Sequence, residues 1–401
     1  MATLAAAPPT ASTALAASTN GSNSRSLSPN LMALAQKNDV FPLPDSLNSF
    51  VDLSGTATPV RRGSTAGKAN EEPPTFDNPY NVMIHNCNHD PAKIREAYNT
   101  HRTTRNSLSR HKLLTDPTPI KLDYILLKSH VLQDGTVDHR NCLVFWARPP
   151  TRVRNFIAKV QEKLKDIAPN LWLMPPPNLH TTVLEITHSR TPEYIADVVN
   201  TMRPALQSIV DYTYTHRAKL TKPMLSFDGS ACAISFIPAT PPTTDTNTSS
   251  TSEEDTHNYN YTYHHLRRDM YDICKASGVE IDSRYTVPSA HITIARFITT
   301  EDHVPENLTI GETAVKEAVV SPTSILADSS QADLSATIPA VKIEKSKMEK
   351  WVDKLDEINE WLAGYNGEDS EWVVGEEKGL DCRIGRLWYG GGETVVLGKG
   401  F

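Results

Sequence analysis

Histidine at 180 and at 291, each followed two residues later by threonine, form the part of this chain best suited to chemistry. The stretches read His180-Thr181-Thr182-Val183 and His291-Ile292-Thr293-Ile294, and both suit a strand. Side chains alternate across a strand, so His180 and Thr182 share one face, as do His291 and Thr293. Each imidazole then stands about 7 Å along the strand from its hydroxyl, within reach of adjacent parts of one phosphate. The hydroxyl donates to a nonbridging oxygen while the ring transfers a proton, a task that an unperturbed pKa of about 6.5 suits. Two such strands across a cleft supply one base and one acid.

Chance produces such patterns too. With 14 histidines in the chain, about one His-x-Ser/Thr-apolar match is expected at random, so a single copy reads as an ordinary structural histidine. Two copies, each in an expected strand and each following an expected helix, read as a pair. His101-Arg102-Thr103 has neither the apolar neighbour nor the strand context. A metal centre would also collect histidines, but no His-x-x-x-His lies near either copy and no Cys-x-x-Cys occurs anywhere. His85-x-Cys87-x-His89 reads as surface residues of one loop, so neither a metal nor another cofactor is expected.

Trp172 to Leu184, WLMPPPNLHTTVL, resembles the first motif of the 2H phosphoesterase superfamily, which includes bacterial RNA 2′,3′-cyclic phosphodiesterases and 2′-5′ RNA ligase-like proteins. Arg284 to Phe297, RYTVPSAHITIARF, looks like the second, with Pro288 shortly before the histidine and Arg296 five residues after it. The resemblance covers roughly residues 140 to 300. Two departures stand out: Ser289-Ala290 separates Pro288 from His291, and the two histidines lie 111 positions apart, a long spacing to which a polar insertion contributes. The resemblance implies an α+β, bilobal fold, two similar lobes with antiparallel sheets lining a central cleft and helices outside. It implies catalysis without a metal, with His180 and His291 as the acid/base pair and Thr182 and Thr293 as phosphate-binding hydroxyls. Arg296 joins them only if its strand bends, since plain alternation puts it opposite His291. Tyr285 either stacks on a base or packs in the core. The implied substrate is a nucleotide or RNA end, foremost a 2′,3′-cyclic phosphate or related cyclic nucleotide. Linear 2′-5′ or 3′-end phosphodiesters and a non-catalytic nucleotide-binding module are the alternatives, and intact His and Thr in both motifs speak against the last.

Stepwise along the chain, the elements that must position these residues can be read from periodicity. Asn141 to Ala147 is the first core strand, and Val153, Phe156, Ile157, Val160, Leu164 and Ile167 mark a helix stripe. Leu171 to Met174 and Leu179 to Thr187 read as strands around the stiff Pro175-Pro176-Pro177. Thr191-Pro192-Glu193 opens a helix that runs through Leu206. The plan recurs: strands at Met224 to Phe227 and Ala231 to Ile237, a helix with Tyr263, Leu266, Met270 and Ile273 on one face, Gly278 as its cap, and a strand at Ala290 to Ile298. An amphipathic helix from Met348 to Leu362 and strands at Trp372 to Val374, Cys382 to Tyr389 and Thr394 to Leu397 close the chain, with Gly390-Gly391-Gly392 as a hairpin turn.

Residues 1–75 read as a disordered low-complexity tail and 76–140 as an N-terminal extension whose basic stretch is a solvated helix. The resemblance makes residues 141–401 the expected 2H phosphoesterase-like domain, with polar insertions near 239–258 and 300–345. A net charge of −7 over 401 residues argues against a protein that coats nucleic acid. No apolar run is long enough to cross a bilayer, and five scattered cysteines read as reduced thiols. A monomer with no membrane and no obligate protein partner is expected, cytoplasmic or nuclear, with mitochondrial targeting the lesser alternative.

Overall fold

The computed structural model describes residues 52–54, 75–240, 258–283, 285–304 and 345–401. The expected tail lies outside these residues except for Asp52–Ser54 and Thr75, and so do the two expected insertions except at their margins.

Helix α1 (Tyr80–Asn86) leads to α2 (Pro91–Thr115), which starts where Asp90 accepts from the Ala92 N–H at 2.9 Å and Pro91 occupies the first turn. The expectation of a solvated extension needs correction here. Tyr80, Ile94, Tyr98 and Leu113 enter the main apolar core. Arg102 donates to the Lys222 and Ser235 carbonyls at 2.6 and 3.2 Å, and Arg105 pairs with Asp228 at 2.7 Å. These two arginines are thus spent on residues more than a hundred positions away, which no local pattern could show. Leu53 donates its N–H to His101 Nδ1 at 3.1 Å, so even part of the expected tail touches α2. A single turn, α3 (Tyr124–Leu126), begins at Asp123.

Strand β1 (Asn141–Ala147) and helix α4 (Thr151–Lys165) match the expected periodicity, and Val153, Phe156, Ile157, Val160 and Leu164 are all buried. Next come β2 (Trp172–Leu173), a 3₁₀ turn at Pro176–Asn178, and β3 (Thr181–Arg190). Helix α5 (Pro192–Met202) is capped by Thr191 as expected, but Leu206 belongs to a separate short α6 (Leu206–Val210). Pro204 stands between them and has no N–H for a continuing helix. Strands β4 (Lys219–Phe227) and β5 (Ala231–Pro238) precede α7 (Tyr263–Ala276), which ends beside Gly278 at φ 93°. Then follow β6 (Ala290–Arg296), α8 (Lys347–Ala363), β7 (Trp372–Val373), β8 (Lys378–Arg386) and β9 (Glu393–Lys399).

The architecture is α+β. Among the described residues the strands form two sheets, ordered β3-β1-β8-β9 and β2-β6-β5-β4-β7, with every pairing antiparallel. The two histidine segments therefore belong to different sheets, and β3 lies against β6 where the sheets meet. No helix among the described residues is long and apolar enough to cross a membrane.

Candidate functional site

His180 sits immediately before β3 rather than within it, held out by the turn at Pro176–Asn178. Its Nδ1 lies 2.7 Å from the Asn178 carbonyl, which can only accept, so a neutral His180 carries its proton on Nδ1 and a lone pair on Nε2. The Trp146 indole stacks on the ring at 3.7 Å between centroids and 16° between planes, with the Arg148 guanidinium 4.7 Å from the same indole. Asn178 is itself buttressed, because its side-chain amide donates to the Tyr389 carbonyl at 3.2 Å. Gly390 follows in a left-handed turn at φ 78°, where a β-carbon would run into the Asn178 side chain. The triple-glycine turn thus supports the first histidine.

His291 lies on β6, with its Nδ1 2.9 Å from the Ser289 hydroxyl. A hydroxyl can donate or accept, so this ring is free to take either tautomer. Ser289 is one of the two residues that separate Pro288 from the histidine.

Both strands carry a bulge just beyond their threonine. On β3, Thr182 faces Trp146 and Leu184 faces Phe145, leaving Val183 without a partner on β1. On β6, Thr293 faces Ala233 and Ala295 faces Cys232, leaving Ile294 unopposed on β5. One extra residue reverses the alternation. Arg296 consequently returns to the face of His291 and Thr293, and Glu185 joins that of His180 and Thr182. His180, Thr182, Tyr285, His291, Thr293 and Arg296 all line one open cleft. Glu185, Trp146 and Trp388 line it too and were not read from the sequence. For Glu185 the available signal was its position five residues after His180, the offset of Arg296 from His291.

Arg296 is aimed from behind. Its Nη1 donates to Asp123 at 3.4 Å, and the Tyr389 hydroxyl donates to the other Asp123 oxygen at 2.6 Å. Burial and the Asp123 carboxylate push the Tyr389 phenol well above its usual range. This keeps it a donor.

No family model matches the chain, and no curated protein matches it either.

Burial dominates the electrostatics of the site. It lowers the His180 pKa to about 3, against the hydrogen bond to Asn178 and with help from Arg148, His291 and Arg383. It lowers that of His291 to about 4, helped by Arg105, Arg267, His101 and Arg296. Both rings are therefore neutral near pH 7. An anionic group between them would favour the imidazolium form and so draw in one proton. Among the described residues no group of three or more His, Cys, Asp or Glu side chains is arranged to hold a metal.

Proposed function

We propose that the chain is a 2H-type phosphoesterase, its two sheets forming the lobes, that opens an RNA-related phosphodiester, foremost a 2′,3′-cyclic phosphate, without a metal. One observation carries the reading: two His-Thr pairs from separate sheets, with a guanidinium, converge on one cleft. His180 Nε2 takes a proton from water, and the water oxygen forms the new bond to phosphorus. His291, protonated once the anion is bound, gives its proton to the ribose oxygen as the old P–O bond breaks. Thr182 and Thr293 donate to the nonbridging oxygens, and Arg296 offsets their charge. The product leaves as the monoester monoanion, one proton then returns from His180 to His291 through water, and near pH 7 the released monoester gives up a further proton to solvent.

The test is turnover of 2′,3′-cyclic mononucleotides, ADP-ribose 1″,2″-cyclic phosphate and 2′-5′ oligoadenylate by purified protein in EDTA. Hydrolysis of a cyclic phosphate should persist in the chelator and fall by about 10² to 10⁴-fold in His180→Ala and in His291→Ala. Activity abolished by EDTA and restored by zinc or manganese would defeat the proposal. So would binding of these nucleotides with no product.

A further inference from the structure

We infer that Arg267 is a positioning residue that clamps the two histidine segments into one register, with Tyr80 as its second anchor, an inference that rests on the phosphoesterase reading. Arg267 lies on α7 and is 1% exposed. Its donors reach three places: Nε the Val183 carbonyl at 3.2 Å, Nη1 the Val287 carbonyl at 2.7 Å, and Nη2 the Tyr80 hydroxyl at 3.1 Å. That hydroxyl in turn donates to the Tyr285 carbonyl at 3.0 Å. One helical turn earlier, the Tyr263 hydroxyl donates to the Thr182 carbonyl at 3.2 Å. One face of α7 therefore grips both segments.

Each contact falls where the sheets themselves provide least. Val183 is the extra residue of the β3 bulge, so the ladder with β1 leaves its backbone to be satisfied otherwise. Without a donor there, β3 gains by slipping to regular pairing, and a one-residue slip would turn Glu185 out of the cleft. On the other side, Tyr285 and Val287 precede β6, in the loop that delivers Ser289 and His291. A guanidinium presents its N–H groups in a rigid planar fork, which fixes the distance between the carbonyls it joins. The rings of Tyr80 and Tyr263 lie 4.6 and 6.0 Å from its central carbon and restrict its movement further. His180 and His291 share one phosphate only while that spacing holds, and an error of about 1 Å can cost about a hundredfold in rate.

The experiment compares full-length Arg267→Lys and Tyr80→Phe with Tyr271→Phe. Tyr271 is also on α7 and buried, but its hydroxyl donates to the Asp77 carbonyl at 3.4 Å and not to either segment. Each protein is first shown to melt cooperatively, and kcat and KM are then measured on a 2′,3′-cyclic mononucleotide. Arg267→Lys should lower kcat about a hundredfold and Tyr80→Phe about tenfold, with KM within about twofold, because substrate contacts remain while their alignment is lost. Tyr271→Phe should match the wild type. Equal losses in Tyr271→Phe, or lower melting temperatures with kcat unchanged, would overturn the clamp. A wild type inert on every phosphodiester would end the phosphoesterase reading instead. The clamp is then judged by NMR of the His180 and His291 rings: signals displaced in Arg267→Lys and Tyr80→Phe but not in Tyr271→Phe support it, and unmoved signals refute it.

Discussion

The lowered pKa values of the paired histidines make the pH dependence of catalysis the most exacting check on the mechanism. The perturbation is acidification alone. With pKa values of about 3 and about 4 in the free enzyme, about one molecule in a thousand carries the single required proton at pH 7. That fraction grows about tenfold for each unit of falling pH until about 4. Since kcat/KM reports the free enzyme, it should rise about a hundredfold from pH 8 to pH 6. In the complex the bound phosphate raises the pKa of the acid, so kcat should change far less over the same range. Initial rates on a cyclic mononucleotide, in EDTA and at constant ionic strength, separate the two quantities. A kcat/KM flat between pH 6 and 8, or one that climbs with pH, would refute the reasoning: no proton would then have to be taken up by a buried imidazole.

Acid should also unfold the protein, because burial lowers the pKa of His101, His264, His265 and His303 to about 4, 3, 4 and 4. Depressed native values mean full stability above the unfolded pKa of about 6.5 and progressive loss as pH falls toward 4. At pH 5 each group costs on the order of 2 kcal/mol, a large fraction of the stability of a domain. Melting temperature should therefore fall steeply below pH 6, and equal values at pH 7 and 5 would contradict this. Asp123→Asn loosens Arg296 and should raise KM about threefold with kcat within about twofold, since a ground-state phosphate contact is weakened; unchanged KM would remove Arg296 from phosphate binding. Gly390→Ala forces a side chain into Asn178 at a left-handed position, so it should cost about 1–3 kcal/mol of stability and lower kcat, read from melting curves and steady-state rates.

Alternation along a strand was enough to place His291 with Thr293, because that rule holds over two residues within a strand; His180 reaches the cleft of Thr182 from the turn before β3. Alternation failed three residues further on. Nothing in the composition of Val183 or Ile294 announces a bulge, and both are ordinary β-formers, so Glu185 went unread and Arg296 stayed conditional. The helices of the domain were legible where a stripe faces one core, as with Val153 to Leu164. Helix α7 shows the limit: His264, His265 and Arg267 are as buried as its apolar stripe, because α1, α2 and both histidine segments surround it. Asp123 and Tyr389 steady Arg296 from opposite ends of the chain, a convergence that only the folded path reveals.

Strands β2 and β3 follow each other closely yet enter different sheets, and β7 and β8 part in the same way. Neither sheet can be completed by one contiguous half of the chain. Pairing of Asn141 with Arg386 must wait until the long stretch between them has been synthesised, and such distant closure is slow. A nascent chain thus exposes the apolar edge of β1 to solvent, and to aggregation, throughout that interval. A polypeptide stopped before Lys378 would contain both histidines, but only β1 with β3, a two-stranded ribbon of marginal stability, to hold the first of them.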